Sequence, residues 1–218
     1  MKLDVVLPKG TGMALGNSLR QTAMARLPAW RPIGIALNRE HNILHATSDI
    51  PQDMYAVMAS ITDLTFIPKD SVEGEFLLEQ FTFVGELRAS SMVSEYFSLT
   101  GHDNLIISSL ENNPITMTVY YRYGVGEINV SENSEFLEEC GHRPKDIMVF
   151  NSRHTNVDNF TFDVKPTSLM DETLSLTIVS QSTDEHQILN DTINTLASSL
   201  SLMKKRIADK DPSYYHEA

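Results

Sequence analysis

The sequence GTGMALGNSLR, residues 10–20, places a glycine turn directly before a predicted helix. Its leucines at positions 15 and 19 begin an apolar stripe that continues at i, i+4 spacing through Ala23 and Leu27. Such spacing is typical of one face of a helix. The apolar run Leu3–Leu7 before this turn predicts a short strand.

Glycines that open a helix also suggest a phosphate-binding loop, but this loop fits neither common template. A P-loop requires Lys-Ser or Lys-Thr after its last glycine, whereas Gly16 is followed by Asn17-Ser18. The dinucleotide fingerprint requires its third glycine at the position of Leu15. Turn and packing roles are favoured, and an enzyme that binds a phosphorylated ligand at Gly10–Gly16 stays open as an alternative.

The remaining pattern predicts an α+β protein with strands in the middle. A helix is predicted with Pro51 in its first turn and with apolar residues at i, i+3, i+4 and i+7. Residues 75–150 mostly alternate between apolar and polar side chains, as antiparallel strands do. The apolar positions that define the helix and the strands are Met54, Val57, Met58 and Ile61; Phe81 and Phe83; Ile115, Met117, Val119 and Tyr121; Phe160, Phe162 and Val164; and Leu174, Leu176 and Ile178.

The last predicted element is a long amphipathic helix. Ser182-Thr183-Asp184-Glu185 has the form of a capping box. Apolar residues then recur at heptad spacing, which predicts a seam along one face. Burial of six such side chains contributes roughly 9–18 kcal/mol, against an association cost of roughly 4–15 kcal/mol. Packing on the chain's own sheet and self-association are therefore both open. The seam consists of Leu189, Ile193, Leu196, Leu200, Met203 and Ile207.

Composition limits the location and the partners. The chain has 218 residues and a net charge of −12, and its longest apolar run, Met54–Ala59, is far too short to span a membrane. Asp4 lies where a signal peptide would carry its apolar stretch, and a single cysteine, Cys140, cannot form an internal disulfide. Both features favour a protein that is not secreted. Residues 1–39 carry a net charge of +5 and the rest −17, which indicates either a solvated basic face or a docking face for an acidic partner.

No catalytic or metal site is predicted. His41 and His45 have the spacing of two ligands on one helix, but no third ligand completes the set. Asp184-Glu185-His186 is better explained by the helix cap, and Cys140 beside His142 has no third orienting group. We therefore expect no cofactor, no metal and no catalytic residue in this chain.

The motif G-x-G-x-x-L-G-N-x-L-R at residues 10–20 resembles the first helix in the N-terminal domain of the bacterial-type RNA polymerase α subunit. Further segments resemble that family in the same order along the chain. These segments are Ile43-Leu44-His45, Gln52-Asp53, Gly124-Val125-Gly126, Phe160–Val164, Asp171–Leu174 and the long final helix.

The resemblance implies a discontinuous architecture. Residues 1–28 and 154–218 form a dimerisation subdomain of strands plus two long helices, and residues 29–153 form an inserted strand-rich subdomain. In the family the first and last helices pack across a two-fold axis, so the resemblance favours self-association for the seam. The implied dimer-interface residues are Leu15, Leu189, Ile193, Leu196, Leu200 and Met203.

The resemblance also implies a function. In the family an α dimer is the assembly scaffold that recruits the large catalytic β and β′ subunits of DNA-directed RNA polymerase, a nucleotidyltransferase, for transcription. The second copy is an identical or related α-like chain. The implied β-docking residues are Asn17, Leu19, Arg20 and Gln21. An unrelated homodimeric adaptor that uses the same seam is the other alternative.

The sequence departs from the family in two places. Many α subunits carry a second arginine after the first, where this chain has Gln21. The chain ends shortly after the final helix, where the family carries a linker and a DNA-binding domain, so no sequence-specific DNA binding is expected. The short apolar runs predict no membrane association. The implied location is the cytoplasm of a bacterial or phage-infected cell, or an organelle matrix such as that of a plastid.

Overall fold

The computed structural model describes residues 1–38, 50–70, 72–100, 103–110 and 113–208. The chain divides into two compact units, Met1–Leu27 with Val157–Ala218, and Pro28–Asn156. The sequence placed the corresponding boundaries after residues 28 and 153. The dimerisation role of the first unit stays a prediction.

Four helices and several antiparallel sheets make up the described chain, with most strands in consecutive runs, which confirms the α+β class. The helices are α1 (Gly12–Ala25), α2 (Met54–Thr62), α3 (Val130–Glu139) and α4 (Glu185–Ala208). The strands are β1 (Lys2–Pro8), β2 (Ala29–Leu37), β3 (Thr65–Pro68), β4 (Phe76–Phe83), β5 (Glu86–Arg88), β6 (Phe97–Thr100), β7 (Leu105–Ser108), β8 (Ile115–Gly124), β9 (Gly126–Ile128), β10 (Met148–Val149), β11 (Ser152–His154), β12 (Asn159–Pro166) and β13 (Asp171–Val179).

The unit that contains both chain ends is a three-stranded antiparallel sheet in the order β1-β13-β12. Helices α1 and α4 pack against each other, and α1 also contacts β12 and β13. Every second side chain of β13 points toward these helices, so the sheet has one apolar face. The buried core comprises Leu19, Ala23, Leu27, Val157, Phe160, Leu174, Leu176, Ile178, Ile188 and Leu189.

The Pro28–Asn156 unit is built on a four-stranded antiparallel sheet in the order β10-β2-β8-β4. Two-stranded ribbons add β11 to β9, β3 to β6 and β5 to β7. Aromatic rings fill its main core: Phe97 lies 5.7 Å from Phe66 and 4.8 Å from Tyr121 between ring centroids. Edge-to-face and tilted pairs of this kind add to the free energy gained by burial alone.

Several predicted elements are confirmed. β1 covers the apolar run before the first turn, and α2 buries Met54, Val57 and Ile61 as its spacing predicted. Asp53 is the N-cap of α2, because its carboxylate accepts from the N–H of Tyr55 at 2.9 Å. Pro51 therefore precedes the helix instead of lying in its first turn.

Two local predictions were wrong. Helix α3 lies inside the region that was expected to contain strands, and its capping box joins Asn129 to Glu132. At α4 the expected box at Ser182 does not form: Asp184 caps the helix by accepting from the N–H of His186 at 3.3 Å. Glu185 instead lies 3.5 Å from the N-terminal amine of Met1.

Some predictions fall outside the described residues. These concern the histidine pair His41 and His45 and the segment Ile43-Leu44-His45 that contributes to the family resemblance.

Candidate functional site

The glycine turn before α1 already holds an anionic group from the chain itself. The backbone N–H of Gly12 donates to Oε1 of Glu172 at 2.5 Å. The N–H groups of Gly12, Gly10 and Thr11 hold the pKa of Glu172 below its ordinary value, because hydrogen bonds to a carboxylate favour its charged form. The N-terminus of α1, which attracts negative charge, is thus occupied by a side chain from β13.

Gly12 and Gly16 let α1 approach the sheet closely. A Cβ atom at Gly16 would lie 2.5 Å from Cδ2 of Phe162, and one at Gly12 would lie 3.0 Å from Oε1 of Glu172. Gly10 has φ +90°, a conformation that side chains rarely adopt. These glycines therefore have architectural roles, and a phosphate would have to displace the Glu172 carboxylate to reach the same N–H groups.

The predicted docking residues on α1 do not share one environment. Asn17, Arg20 and Gln21 are exposed, whereas Leu19 is buried in the core of its own unit. The spacing explains the difference, because Leu19 faces the sheet one turn after Gly16 while the polar residues face outward. Leu19 therefore supports this surface from within, and the polar side chains are the ones available to a partner.

The seam residues on α4 also divide into two groups. Leu189 is buried in the unit's own core, and Leu196 packs partly against that core. Ile193 is 46% exposed, and Leu200 and Met203 are 59% exposed. Leu189 and Leu196 thus pack on the unit's own core, where α4 contacts α1, while Ile193, Leu200 and Met203 keep about half of their surface exposed.

The exposed part of α4 is longer than the seam alone indicates. Every residue from 197 to 207 is exposed. Helix α1 adds two exposed apolar side chains, with Met13 at 59% and Leu15 at 37%. A helical segment of this length is marginal in water without tertiary packing. We define the α4 apolar face as Ile193, Leu200, Met203 and Ile207.

Glu172 is a functional residue that the sequence analysis did not single out. It is buried on the face of β13 that also carries Leu174, Leu176 and Ile178. A charged residue in an otherwise apolar alternation was the available signal, because buried carboxylates require hydrogen-bond partners.

The other unit contains a buried polar network. Nδ1 of His154 lies 2.8 Å from the carbonyl oxygen of Ala29, so Nδ1 carries the proton and donates. Nε2 is then the acceptor for the Ser152 hydroxyl at 2.8 Å, and Nδ2 of Asn133 donates to Ser152 Oγ at 3.1 Å. The network joins α3, β11 and the start of β2, and burial lowers the pKa of His154.

The thiol of Cys140 is not activated as a nucleophile, because the effects that raise its pKa outweigh that of the nearby Arg122 cation, which lowers it. Burial raises the pKa of its thiol, and the nearby charge of Glu139 raises it further. The His142 ring packs against Phe76 and Tyr120 at centroid distances of 5.3 and 5.1 Å. His142 is therefore part of an aromatic cluster.

Among the described residues, no cluster of three or more His, Cys, Asp or Glu side chains is placed to hold a metal ion. No helix in the described ranges is long and apolar enough to cross a membrane.

Comparison of the chain with models of known protein families and with curated proteins finds no match.

Proposed function

We propose that this chain is an α-like assembly subunit of a multisubunit DNA-directed RNA polymerase, which dimerises and recruits the large catalytic β and β′ subunits. The observation that carries the proposal is the α4 apolar face, whose four side chains are each 46–59% exposed. The polymerase assignment itself rests on the resemblance of residues 10–20 and of the ordered segments that follow. In this role the chain supplies binding surfaces, and the nucleotidyl-transfer chemistry belongs to its partners.

Energetics support self-association through this face. The four side chains of the face are each about half exposed. Burying those exposed portions on both chains contributes roughly 6–13 kcal/mol, which is comparable with the roughly 4–15 kcal/mol that association costs. The exposed apolar residues of α1, Met13 and Leu15, add to the favourable side. An isologous pairing of the face with itself gives a closed dimer, in which the apolar face of both copies is buried.

The exposed polar face of α1 supports a second role, contact with a larger subunit. Arg20 is exposed beside Asn17 and Gln21. The planar guanidinium group of an arginine makes paired hydrogen bonds to carboxylates, which suits a protein interface. This surface is formed by the outward side of the helix whose inward side is anchored on Phe162, so its residues are held on a rigid support.

The first experiment is a tagged pull-down of the full chain from its native source, with the bound chains identified by mass. The expected result is two much larger partners in fixed ratio to a pair of this chain. A Leu200→Asp/Met203→Asp variant serves as a matched comparison, because it should lose the second copy. Recovery of the chain alone, or with unrelated partners, would contradict the polymerase role.

A homodimeric adaptor unrelated to polymerase is the second candidate, and the same α4 apolar face favours it. It shares the dimer with the first proposal and differs in its partners, so the pull-down separates the two.

An enzyme that binds a phosphorylated ligand at Gly10–Gly16 is the third candidate. It requires saturable nucleotide binding by the isolated chain, lost in Gly12→Val. We expect no such nucleotide binding, because the Glu172 carboxylate already accepts the N–H of Gly12 at this turn.

A further inference from the structure

A cleft of about 810 Å³ opens on the surface of the Pro28–Asn156 unit. Helix α2 lines it with Tyr55, Met58 and Thr62, and α3 lines it with Val130 and Ser134. The stretches Pro144–Lys145 and Ile147–Arg153 line it as well, and the second of them includes β10. This volume lies within the range of natural ligand sites, roughly 300–1,000 Å³.

The charge of the cleft is opposite to that of the chain as a whole. Its described lining includes the cations Arg31, Lys145 and Arg153 and no aspartate or glutamate, although the chain carries a net charge of −12. Lys145 and Arg153 are exposed. Arg31 is held in place, because its Nε donates to the carbonyl oxygen of Arg153 at 3.2 Å. The cleft thus concentrates positive charge, which attracts carboxylates.

The cleft also contains a strand edge with which no other described strand pairs. β10 is the outermost strand of its sheet, beside β2. Phe150 donates its N–H to Ile33 on β2 at 3.0 Å, and Met148 pairs with Ile35. Because alternate residues of an antiparallel strand bond to the same neighbour, the N–H and C=O of Val149 point away from β2. An edge of this kind can accept one more extended chain.

The floor of the cleft adds an apolar contribution. Pro32, Ile147, Met148 and Phe150 line it and are buried or nearly so, so they form a fixed surface rather than a flexible one. An extended peptide turns alternate side chains to opposite sides. One set of side chains can therefore contact this floor while the other set reaches the cations at the rim.

We propose that this cleft binds an extended acidic segment of a partner protein, which adds alongside β10 at Val149 and places carboxylates against Lys145 and Arg153. Charge complementarity, the strand edge and the apolar floor all favour a peptide. A nucleic-acid strand would use the cations but not the strand edge. The site lies wholly in the Pro28–Asn156 unit and does not depend on the proposed polymerase role, whose residues lie in the other unit.

Fluorescence anisotropy with the full chain tests this inference. The probe is a labelled peptide in which glutamate and valine alternate, about six residues long, the length of a typical strand. The expected result is saturable binding that weakens by at least about tenfold in Lys145→Glu/Arg153→Glu. The control variant Lys2→Glu/Lys204→Glu makes the same change in net charge at exposed positions of the other unit and should bind as the unaltered chain does.

The peptide itself provides a test that does not depend on the folding of any variant. N-methylation of alternate backbone nitrogens removes donors from one edge of the peptide, so one of the two methylation registers should bind at least about tenfold more weakly. A lysine–valine peptide should not bind. Equal binding by the Lys145→Glu/Arg153→Glu variant, equal binding of both methylated peptides, or binding of a single-stranded RNA oligomer in place of the acidic peptide would each overturn the proposal.

Discussion

The carboxylate of Glu172 accepts a hydrogen bond from the backbone N–H of Gly12 at 2.5 Å, across 160 residues of sequence. The bond ties the N-terminus of α1 to the start of β13. The glycine turn resembles a ligand-binding loop, but its N–H group binds a side chain of the same protein. The stability of the unit and the interpretation of its glycine motif therefore depend on the same pair of residues.

Replacement of Glu172 by glutamine should reduce the pH dependence of stability. Because the pKa of Glu172 is lowered in the folded chain, its contribution is present above the ordinary pKa of a glutamate and is lost as the pH falls through the lowered value. Thermal unfolding between neutral and strongly acidic pH measures this effect. Glu172→Gln should unfold at a lower temperature at neutral pH and converge with the unaltered chain in acid. Asp4→Asn, at an exposed position on β1, is the control, and parallel curves for Glu172→Gln and the unaltered chain would contradict the role.

A methyl group at Gly16 should loosen the packing of α1 on the sheet. The added Cβ would lie 2.5 Å from the Phe162 ring, so we expect Gly16→Ala to lower the free energy of unfolding by about 1–3 kcal/mol. Denaturant unfolding measures the change, and Asn17→Ala on the exposed side of the same helix is the control. Phe162→Leu should recover part of the loss in the double variant, since it removes the clash. Strictly additive effects would show that the two residues do not interact.

Charges on the exposed half of α4 should separate the proposed dimer without unfolding the chain. Leu200 and Met203 are exposed, so we expect Leu200→Asp/Met203→Asp to disrupt contact with the second copy and to leave the core of the unit unchanged. Leu196 is a poorer choice because it packs partly on the core. Sedimentation should show a monomer, since a charge buried at an interface is costly. Ser198→Asp/Ser201→Asp adds the same charge on the opposite side of the helix and should remain dimeric. If Leu200→Asp/Met203→Asp remained dimeric, the α4 apolar face would be excluded as the dimer interface.

Loss of Arg20 should weaken partner capture and leave self-association intact. A hydrogen bond to a charged group contributes about 1.5–3 kcal/mol, so Arg20→Ala should reduce the affinity for the larger subunit by about ten- to a hundredfold. Quantitative pull-down with the tagged chain measures the loss, and sedimentation checks the dimer. Lys2→Ala, an exposed cation on β1, serves as the control. Unchanged capture would remove Arg20 from the docking surface.

His154 should make the stability of its unit depend on pH. Burial lowers the pKa of His154, so folding favours the neutral ring. The contribution is full above the ordinary pKa of a histidine and falls as the pH drops below that value, by at most about 1.4 kcal/mol per pH unit for one proton. Denaturant unfolding at pH 7 and pH 5 should show a smaller difference for His154→Gln than for the unaltered chain. His186→Gln, at an exposed position on α4, should change nothing, and equal slopes for His154→Gln and the unaltered chain would contradict the burial argument.

Local pattern was sufficient for most of the elements. The i, i+3, i+4, i+7 spacing located α2, and alternation located β8, β12 and β13, because these periods follow directly from backbone geometry. Helix α3 was missed, although Asn129 and Glu132 have the capping-box spacing that marks a helix start. At α4 several residues compete to cap the helix, and Asp184 rather than Ser182 caps it.

The two periodicities, the glycine turn and the apolar seam of the last helix are predictable from local sequence, since each depends on residues a few positions apart. The tertiary structure alone decided which residues of that seam are covered, that Glu172 occupies the turn at Gly12, and that Val149 lies at a strand edge beside Lys145 and Arg153. Burial and the pairing of distant residues arise only when separate segments pack together, and no local spacing records that arrangement.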